Sequence, residues 1–351
     1  MSEIELTTFY EKIVGRFPFP FTSKILVSLA LGLIFIYSHY LSSQVSADQK
    51  ELFDITSIFL AAIISAAMAS LYLATHTLRS ILPEMERRTK DGGKLFMIPL
   101  KHLLVTKIFL QYGVFFAVLN CLMATVFGIP HIEESNHPQY FEYVISLYFG
   151  YFLAGFVCGM AVLGILAVFK SLRQFGINAR HSFDFTSPDN CGGTLFIGNA
   201  LMIFASVTLF VGVLISSYII NTEWVNTFGL AAGLKIIWII FPYFMSIVVF
   251  VGPALSLNKS LIHYKRNQDQ LIRSKLDKLM HQIDNEPNVS NDDLVKKYEF
   301  NQKLREQLHK MRTWPYGLNT NSKYFSMVVV NSFAVYGANQ KYIDKFLSSF
   351  G

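Results

Sequence analysis

Six long apolar blocks, at about 25–42, 55–78, 108–129, 143–169, 194–220 and 229–257, leave this 351-residue chain few ways to fold. Each approaches or exceeds the ~18–20 apolar residues that carry an α-helix across a bilayer. Within hydrocarbon a segment must satisfy its own backbone N–H and C=O groups, so each block reads as a helix. The expected fold class is all-α, a polytopic helical membrane protein with six transmembrane helices. Charged residues make up only 15% of the chain against 52% hydrophobic, and the two are segregated along it.

The segregation also predicts topology. If the blocks cross in turn, 28 of the 30 Lys and Arg fall on one side, and only Lys50 and Lys235 on the other. The positive-inside rule then puts the N- and C-termini in the cytoplasm. Acidic residues sharpen the asymmetry. Asp48, Glu51, Asp54, Glu133, Glu134, Glu142 and Glu223 lie outside, leaving the inner side at +11 and the outer side at −5. A basic inner face suits anionic lipid headgroups, so the lipid bilayer is the first expected partner. No nucleic-acid motif accompanies the charge, and nucleic acid is not an expected partner. Cys121, Cys158 and Cys191 form no C-x-x-C and no outer pair, so they read as packing residues.

Three regions follow. Residues 1–24 form a cytoplasmic amphipathic N-terminal segment that ends in Phe17-Pro18-Phe19-Pro20-Phe21, 25–257 the six-helix transmembrane domain, and 258–351 a cytoplasmic helical region. Val45-Ser46-Ala47 fits the small-residue pattern of a signal-peptidase site, but the leader and its apolar run are long for a signal peptide. The first block is therefore expected to be a retained span.

Small residues mark close helix contacts. Ala62, Ala66 and Ser70 lie four apart in the second block, and Gly155 and Gly159 make a literal G-x-x-x-G in the fourth. Such spacing lets two backbones approach, within one subunit or between copies in a homo-oligomer. Ionisable groups are sparse. No Asp or Glu lies at mid-depth, and Lys107 and Lys235 sit near block ends, where they can snorkel. That weighs against a proton-coupled transporter. The sixth block carries Pro242 near its middle and Gly252-Pro253 near its inner end, a candidate hinge in the span that leads into the tail.

The inner loop before the fifth block runs from His181 through Asp184, Pro188, Asp189, Asn190 and Cys191 to Gly192, Gly193 and Thr194. Pro-Asp-Asn is turn chemistry, and Asp189 or Thr194 can cap the next helix. Asp184, Asp189, Gly192 and Gly193 form a candidate cytoplasmic loop site. Possible ligands among them match no metal-binding spacing, so no metal and no cofactor is expected. Beyond 258, Ile272, Leu276, Leu279 and Ile283 stripe one helix, Glu286-Pro287-Asn288 breaks it, and Leu304, Leu308 and Met311 stripe a second. This predicts an antiparallel helical hairpin or a short coiled coil between subunits. Trp314-Pro315-Tyr316-Gly317 follows, and then an apolar run over 324–336 that is too short to span.

The Pro188-Asp189-Asn-Cys-Gly192-Gly193 loop, paired with Trp314-Pro315-Tyr316 after a helical tail, resembles a pattern in uncharacterised bacterial multi-span membrane proteins. Those often carry His before Pro-Asp, where this chain has Ser187. The resemblance covers roughly 180–320 and implies a bacterial inner-membrane location, with no known activity.

No H-E-x-x-H, G-x-S-x-G, phosphate loop or dinucleotide fingerprint occurs, so an enzyme is not expected. The leading expectation is an oligomeric, channel-like protein gated by its cytoplasmic helices. One alternative is a non-transporting scaffold or signalling protein that docks a cytoplasmic partner. The other is a carrier for an uncharged or hydrophobic solute.

Overall fold

The computed structural model describes residues 29–39, 55–89, 94–103, 106–128, 140–178, 183–222, 224, 229–285, 291–317, 321–332 and 340. The N-terminal segment 1–24, the Val45-Ser46-Ala47 site, His181, the Glu286-Pro287-Asn288 breaker and the end of the 324–336 run lie outside the described residues. Among the described residues no strand occurs. The helices are α1 (Leu29–His39), α2 (Ile55–Arg87), α3 (Lys94–Leu103), α4 (Thr106–Phe127), α5 (Tyr140–Asn178), α6 (Leu195–Asn221), α7 (Leu230–Asn285), α8 (Asn291–Lys310) and α9 (321–332).

Five of these, α2, α4, α5, α6 and α7, are long and apolar enough to cross a membrane. The all-helical architecture is consistent with an integral membrane protein. The first block is described only over the 11 residues of α1, short of a span. Three helices outrun their apolar blocks, and α2 does so as far as Arg87. α5 continues to Asn178, because Ser171, Leu172 and Phe175 keep one face buried after Lys170. α7 runs unbroken for 56 residues, ~84 Å, with Pro242 and Pro253 inside it.

Helix ends meet as the charge pattern requires. At the end rich in Arg and Lys, Arg88 after α2 lies over the Phe196 ring at the start of α6. At the opposite end, His39 of α1 lies 3.1 Å from the Ser146 hydroxyl of α5, and Phe127 of α4 meets Trp224 after α6. Three apolar clusters stack between the ends. Phe35, Leu60, Leu147, Tyr151 and Trp224 fill the opposite end, and Met68, Leu71, Phe109 and Met160 the middle. Met85, Leu100, Phe175, Leu201 and Leu257 fill the basic end.

Small residues set the tightest approaches. A Cβ on Gly155 would come within 2.7–2.8 Å of the Phe116 carbonyl and Ala117 Cα, and one on Gly159 within 2.6–2.7 Å of Phe116 Cβ and the Tyr112 carbonyl. The G-x-x-x-G therefore seats α5 against α4 of its own chain. On α2 the close approach uses Ala61 and Ser65, which face Gly32 of α1. Ala66 is buried, while Ala62 and Ser70 are half-buried.

Beyond the bundle, α8 folds back along the C-terminal half of α7. Ile272 and Leu276 share one buried cluster with Leu308 and Met311. Asp269 pairs with Arg305 at 3.1 Å and with Arg273 at 2.8 Å. The Lys265 ammonium donates to the His309 and Met311 carbonyls at 2.9 and 2.8 Å, closing the C-terminus of α8 where a cation suits the helix dipole.

Candidate functional site

The loop between α5 and α6 is built around one carboxylate. Asp189 Oδ1 accepts from the Cys191 and Gly193 amides at 2.8 and 3.0 Å, and Oδ2 accepts from the Leu195 amide at 3.2 Å. Burial pushes this carboxyl up, but the three amides and the Ser187 hydroxyl outweigh it and hold it below its ordinary value. The anion also sits at the α6 N-terminus, where the dipole favours it. Thr194, the residue at the N-cap position, makes no side-chain cap bond. Its hydroxyl donates instead to the Cys191 carbonyl at 2.7 Å. Asp184 acts more locally, through an Oδ1 that accepts from the Thr186 amide and hydroxyl at 2.9 and 2.6 Å.

Gly192 and Gly193 take φ of +65° and +77°, a region costly for any residue with a Cβ. A Cβ at Gly193 would also collide with the Arg88 guanidinium. The loop backbone is thus wedged between the end of α2 and the start of α6.

The tail closes over this loop. The Arg312 amide donates to the Asn190 carbonyl at 2.7 Å, and the Cys191 thiol donates to the Tyr316 carbonyl at 3.8 Å. Burial, with the Asp189 charge adding to it, pushes the Cys191 thiol up to about 11, so it stays neutral. The Pro315 carbonyl lies so close to Gly198 of α6 that a Cβ there would overlap it. Tyr316 donates its hydroxyl to the Phe250 carbonyl of α7. Its ring stacks on Phe250 at 4.4 Å, and Phe250 stacks in turn on Tyr324 of α9 at 4.0 Å.

The 324–336 run, as far as it is described, lies against the bundle. The Tyr324 hydroxyl meets Ser246 of α7 at 2.9 Å, and Ser246 donates to the Ala205 carbonyl of α6 at 2.8 Å. Ser206 donates to the Met327 sulfur at 3.4 Å. Ala205 is ten residues into α6, so α9 reaches ~15 Å along that helix from its basic end.

The second feature is a cavity of about 510 Å³ inside the bundle, lined by α2, α4, α5, α6 and α7. On α2 its lining runs from Leu60 to Leu78, or ~27 Å, close to the hydrocarbon thickness. No charged side chain lines it. Several lining polar groups bond within the protein: Thr75 to the Leu71 and Tyr72 carbonyls, Thr208 to Phe204, and Asn120 to the Tyr151 carbonyl at 2.8 Å. Tyr218 donates to Tyr151 at 2.6 Å. The walls therefore present an apolar interior of the size typical of small-molecule sites.

The residues singled out by sequence divide between the two places. Asp189, Gly192 and Gly193 are at the basic-end junction, and Asp184 holds the loop beside it. Ser70, Gly155, Pro242 and Pro253 line the cavity. Pro242 packs on Gly212 of α6, and Gly252 packs on Phe169 of α5. Lys235 departs from the snorkelling expectation. It is only 7% exposed, with its ammonium 5.5 Å from the Phe127 ring centroid and 5.7 Å from that of Trp224. Lys107 is exposed as expected. Sequence reasoning missed Lys265, Gly198, Ser246 and the cavity; the one available signal was a serine on a buried face of the sixth block. Among the described residues no cluster of His, Cys, Asp and Glu could hold a metal ion.

Comparison with protein-family models, curated proteins and solved structures gives no match, so the functional reading rests on geometry alone.

Proposed function

We propose that this chain is a carrier or binding protein of the membrane that takes an uncharged or hydrophobic solute into the cavity between α2, α4, α5, α6 and α7. The observation that carries the reading is that cavity, about 510 Å³, long, apolar and free of charged lining. Exposed Ile237 and Phe241 of α7 line it, and α4 and α7 make little contact with each other. A solute dissolved in lipid enters sideways between those two helices. In this reading the first apolar block completes a sixth span, both termini are cytoplasmic, and the α7–α8 hairpin is a cytoplasmic module.

The test uses the two tryptophans that line the cavity, Trp224 and Trp238. A brominated long-chain ester added to purified protein in a neutral detergent should quench their fluorescence saturably. Linear, non-saturating quenching, as from detergent partitioning alone, would refute the proposal.

A second reading keeps one observation of its own. α7 passes without a break from the cavity face at Pro242 and Pro253 to the Asp269–Arg305 pair. That continuity supports an oligomeric, channel-like protein whose tail biases the position of α7, with Pro242, Gly252 and Pro253 as the hinge. Its test is flux from liposomes reconstituted with the full chain or with a chain lacking 291–351. Absence of flux from both ends that reading.

A further inference from the structure

The last described helix, α9, has a face that the bundle leaves bare. Tyr324 is buried and Val328 packs on the basic-end cluster, so one side of α9 is held by the protein. Phe325, Met327, Val329 and Val330 are exposed. The same chain shows how a helix facing water differs. α8 turns Asp292, Lys296, Glu299, Lys303 and Glu306 outward. Lys323 is the one charged residue of α9, and none follows it through Gln340. The depth of α9 points the same way. Its Tyr324 hydroxyl meets Ser246, 13 positions before Lys259, the first charge beyond the sixth apolar block, or ~20 Å along α7. Met327 meets Ser206 of α6, and Ile203 and Phe210, about one turn to either side on that face, are themselves exposed. α9 therefore extends the apolar surface of helices that are long and apolar enough to cross a membrane.

From this depth and this face we propose that α9 is a half-span helix immersed in the leaflet on the basic side, and that lipid acyl chains are the partner of Phe325, Met327, Val329 and Val330. At 12 residues, ~18 Å, it is too short for a ~30 Å hydrocarbon core and long enough for one leaflet. Its helical backbone satisfies its own N–H and C=O groups, as hydrocarbon requires. Lys323, exposed near its start, reaches the headgroups along its aliphatic stem. Trp314, stacked on Tyr316 at 6.4 Å and partly exposed, sits where the tail leaves water, a place that suits an indole. The tail is thus gripped twice, by the Asp189 loop and, further along, by lipid. None of this depends on what the cavity binds.

The experiment compares two positions of equal bareness. Val330 of α9 and Phe300 of α8 are 64% and 60% exposed, so what separates them is the medium each one meets. The full chain is placed in phosphatidylcholine nanodiscs, one copy per disc, with water on both faces. Val330→Cys and Phe300→Cys are each treated with a charged maleimide, and the labelling of the native cysteines is subtracted. Val330→Cys should react more slowly than Phe300→Cys by roughly tenfold or more, because the reactive thiolate is disfavoured in hydrocarbon. Equal rates overturn the proposal. Phe325→p-benzoylphenylalanine then tells protection by lipid from protection by protein. Illumination in the disc should add the mass of one phospholipid to the chain. Crosslinks confined to the chain itself overturn the proposal. A crosslinked dimer in place of the lipid adduct, when several copies share a vesicle, also overturns it and makes a second copy the partner.

Discussion

Replacing Asp189 should loosen the tail without unfolding the bundle. Its carboxylate accepts three backbone amides at 2.8, 3.0 and 3.2 Å. Hydrogen bonds to charged groups contribute about 1.5–3 kcal/mol each when well shielded. Asp189 is only half-buried, so water can replace part of each bond and a lower figure of about 1 kcal/mol apiece applies. Asp189→Ala should then cost about 2–3 kcal/mol. Asp189→Asn keeps an oxygen for the Cys191 and Gly193 amides and loses the charge and the Leu195 contact, for about 1 kcal/mol. The loss should appear where the loop grips the tail, at the 2.7 Å bond from the Arg312 amide to Asn190. Arg312 is exposed and is a trypsin site. Cleavage there follows the population of the opened tail when closing is fast. Trypsin should therefore cut Asp189→Ala about 30- to 150-fold faster than wild type and Asp189→Asn about fivefold faster. Wild-type rates in both variants, or equal rates in the two, would refute the assigned role. The carboxyl is held below its ordinary value, so its contribution is complete above about pH 4. It is lost only as pH falls through the lower folded value. Tail protection should thus be flat from about pH 6 to 8.

Two further outcomes test the same junction. Gly193→Ala places a Cβ at φ +77° and against Arg88, which should cost about 1–3 kcal/mol. Adding Arg88→Ala should recover the steric share, read as a positive coupling in a double-mutant cycle of melting temperatures. Tyr324→Phe removes the hydroxyl that meets Ser246, for about 0.5–1.5 kcal/mol. It should speed amide exchange across 321–332 and leave α8 unchanged, as followed by hydrogen-exchange mass spectrometry.

The helices were legible because hydrocarbon leaves the backbone no alternative, and α4 and α6 begin and end within about two residues of their apolar blocks. The packing of α8 on α7 was legible from the stripes, which share one buried cluster through Ile272, Leu276, Leu308 and Met311. Asp189 was legible as a cap, since the turn chemistry around it is local. The junction it serves was not. Gly198 looks like any small residue until the Pro315 carbonyl lies against it, a contact across 117 positions of sequence. Lys235 was misjudged for a similar reason. Nearness to a helix end says nothing about two aromatic rings arriving from other segments to enclose the ammonium.

The cavity is the least legible feature, because it is made of side chains that are absent. Three glycines of α5 make the point. Gly155, although it edges the cavity, and Gly159 are packed against α4, and a Cβ on either meets α4 atoms at under 3 Å. Gly164 lines the cavity, and a Cβ there meets nothing within 4 Å. An added side chain should therefore have different consequences at the two places. Gly155→Leu forces two packed backbones apart and should destabilise by about 1–3 kcal/mol or more. Gly164→Ala removes a flexible residue from a helix interior and should stabilise by roughly 0.5–1 kcal/mol. Gly164→Leu should keep wild-type thermal stability while it fills the space and abolishes saturable quenching by the brominated ester. If Gly164→Leu melts as early as Gly155→Leu, α5 is packed on that side as well. The cavity would then not be a preformed site, and the solute reading would lose its support.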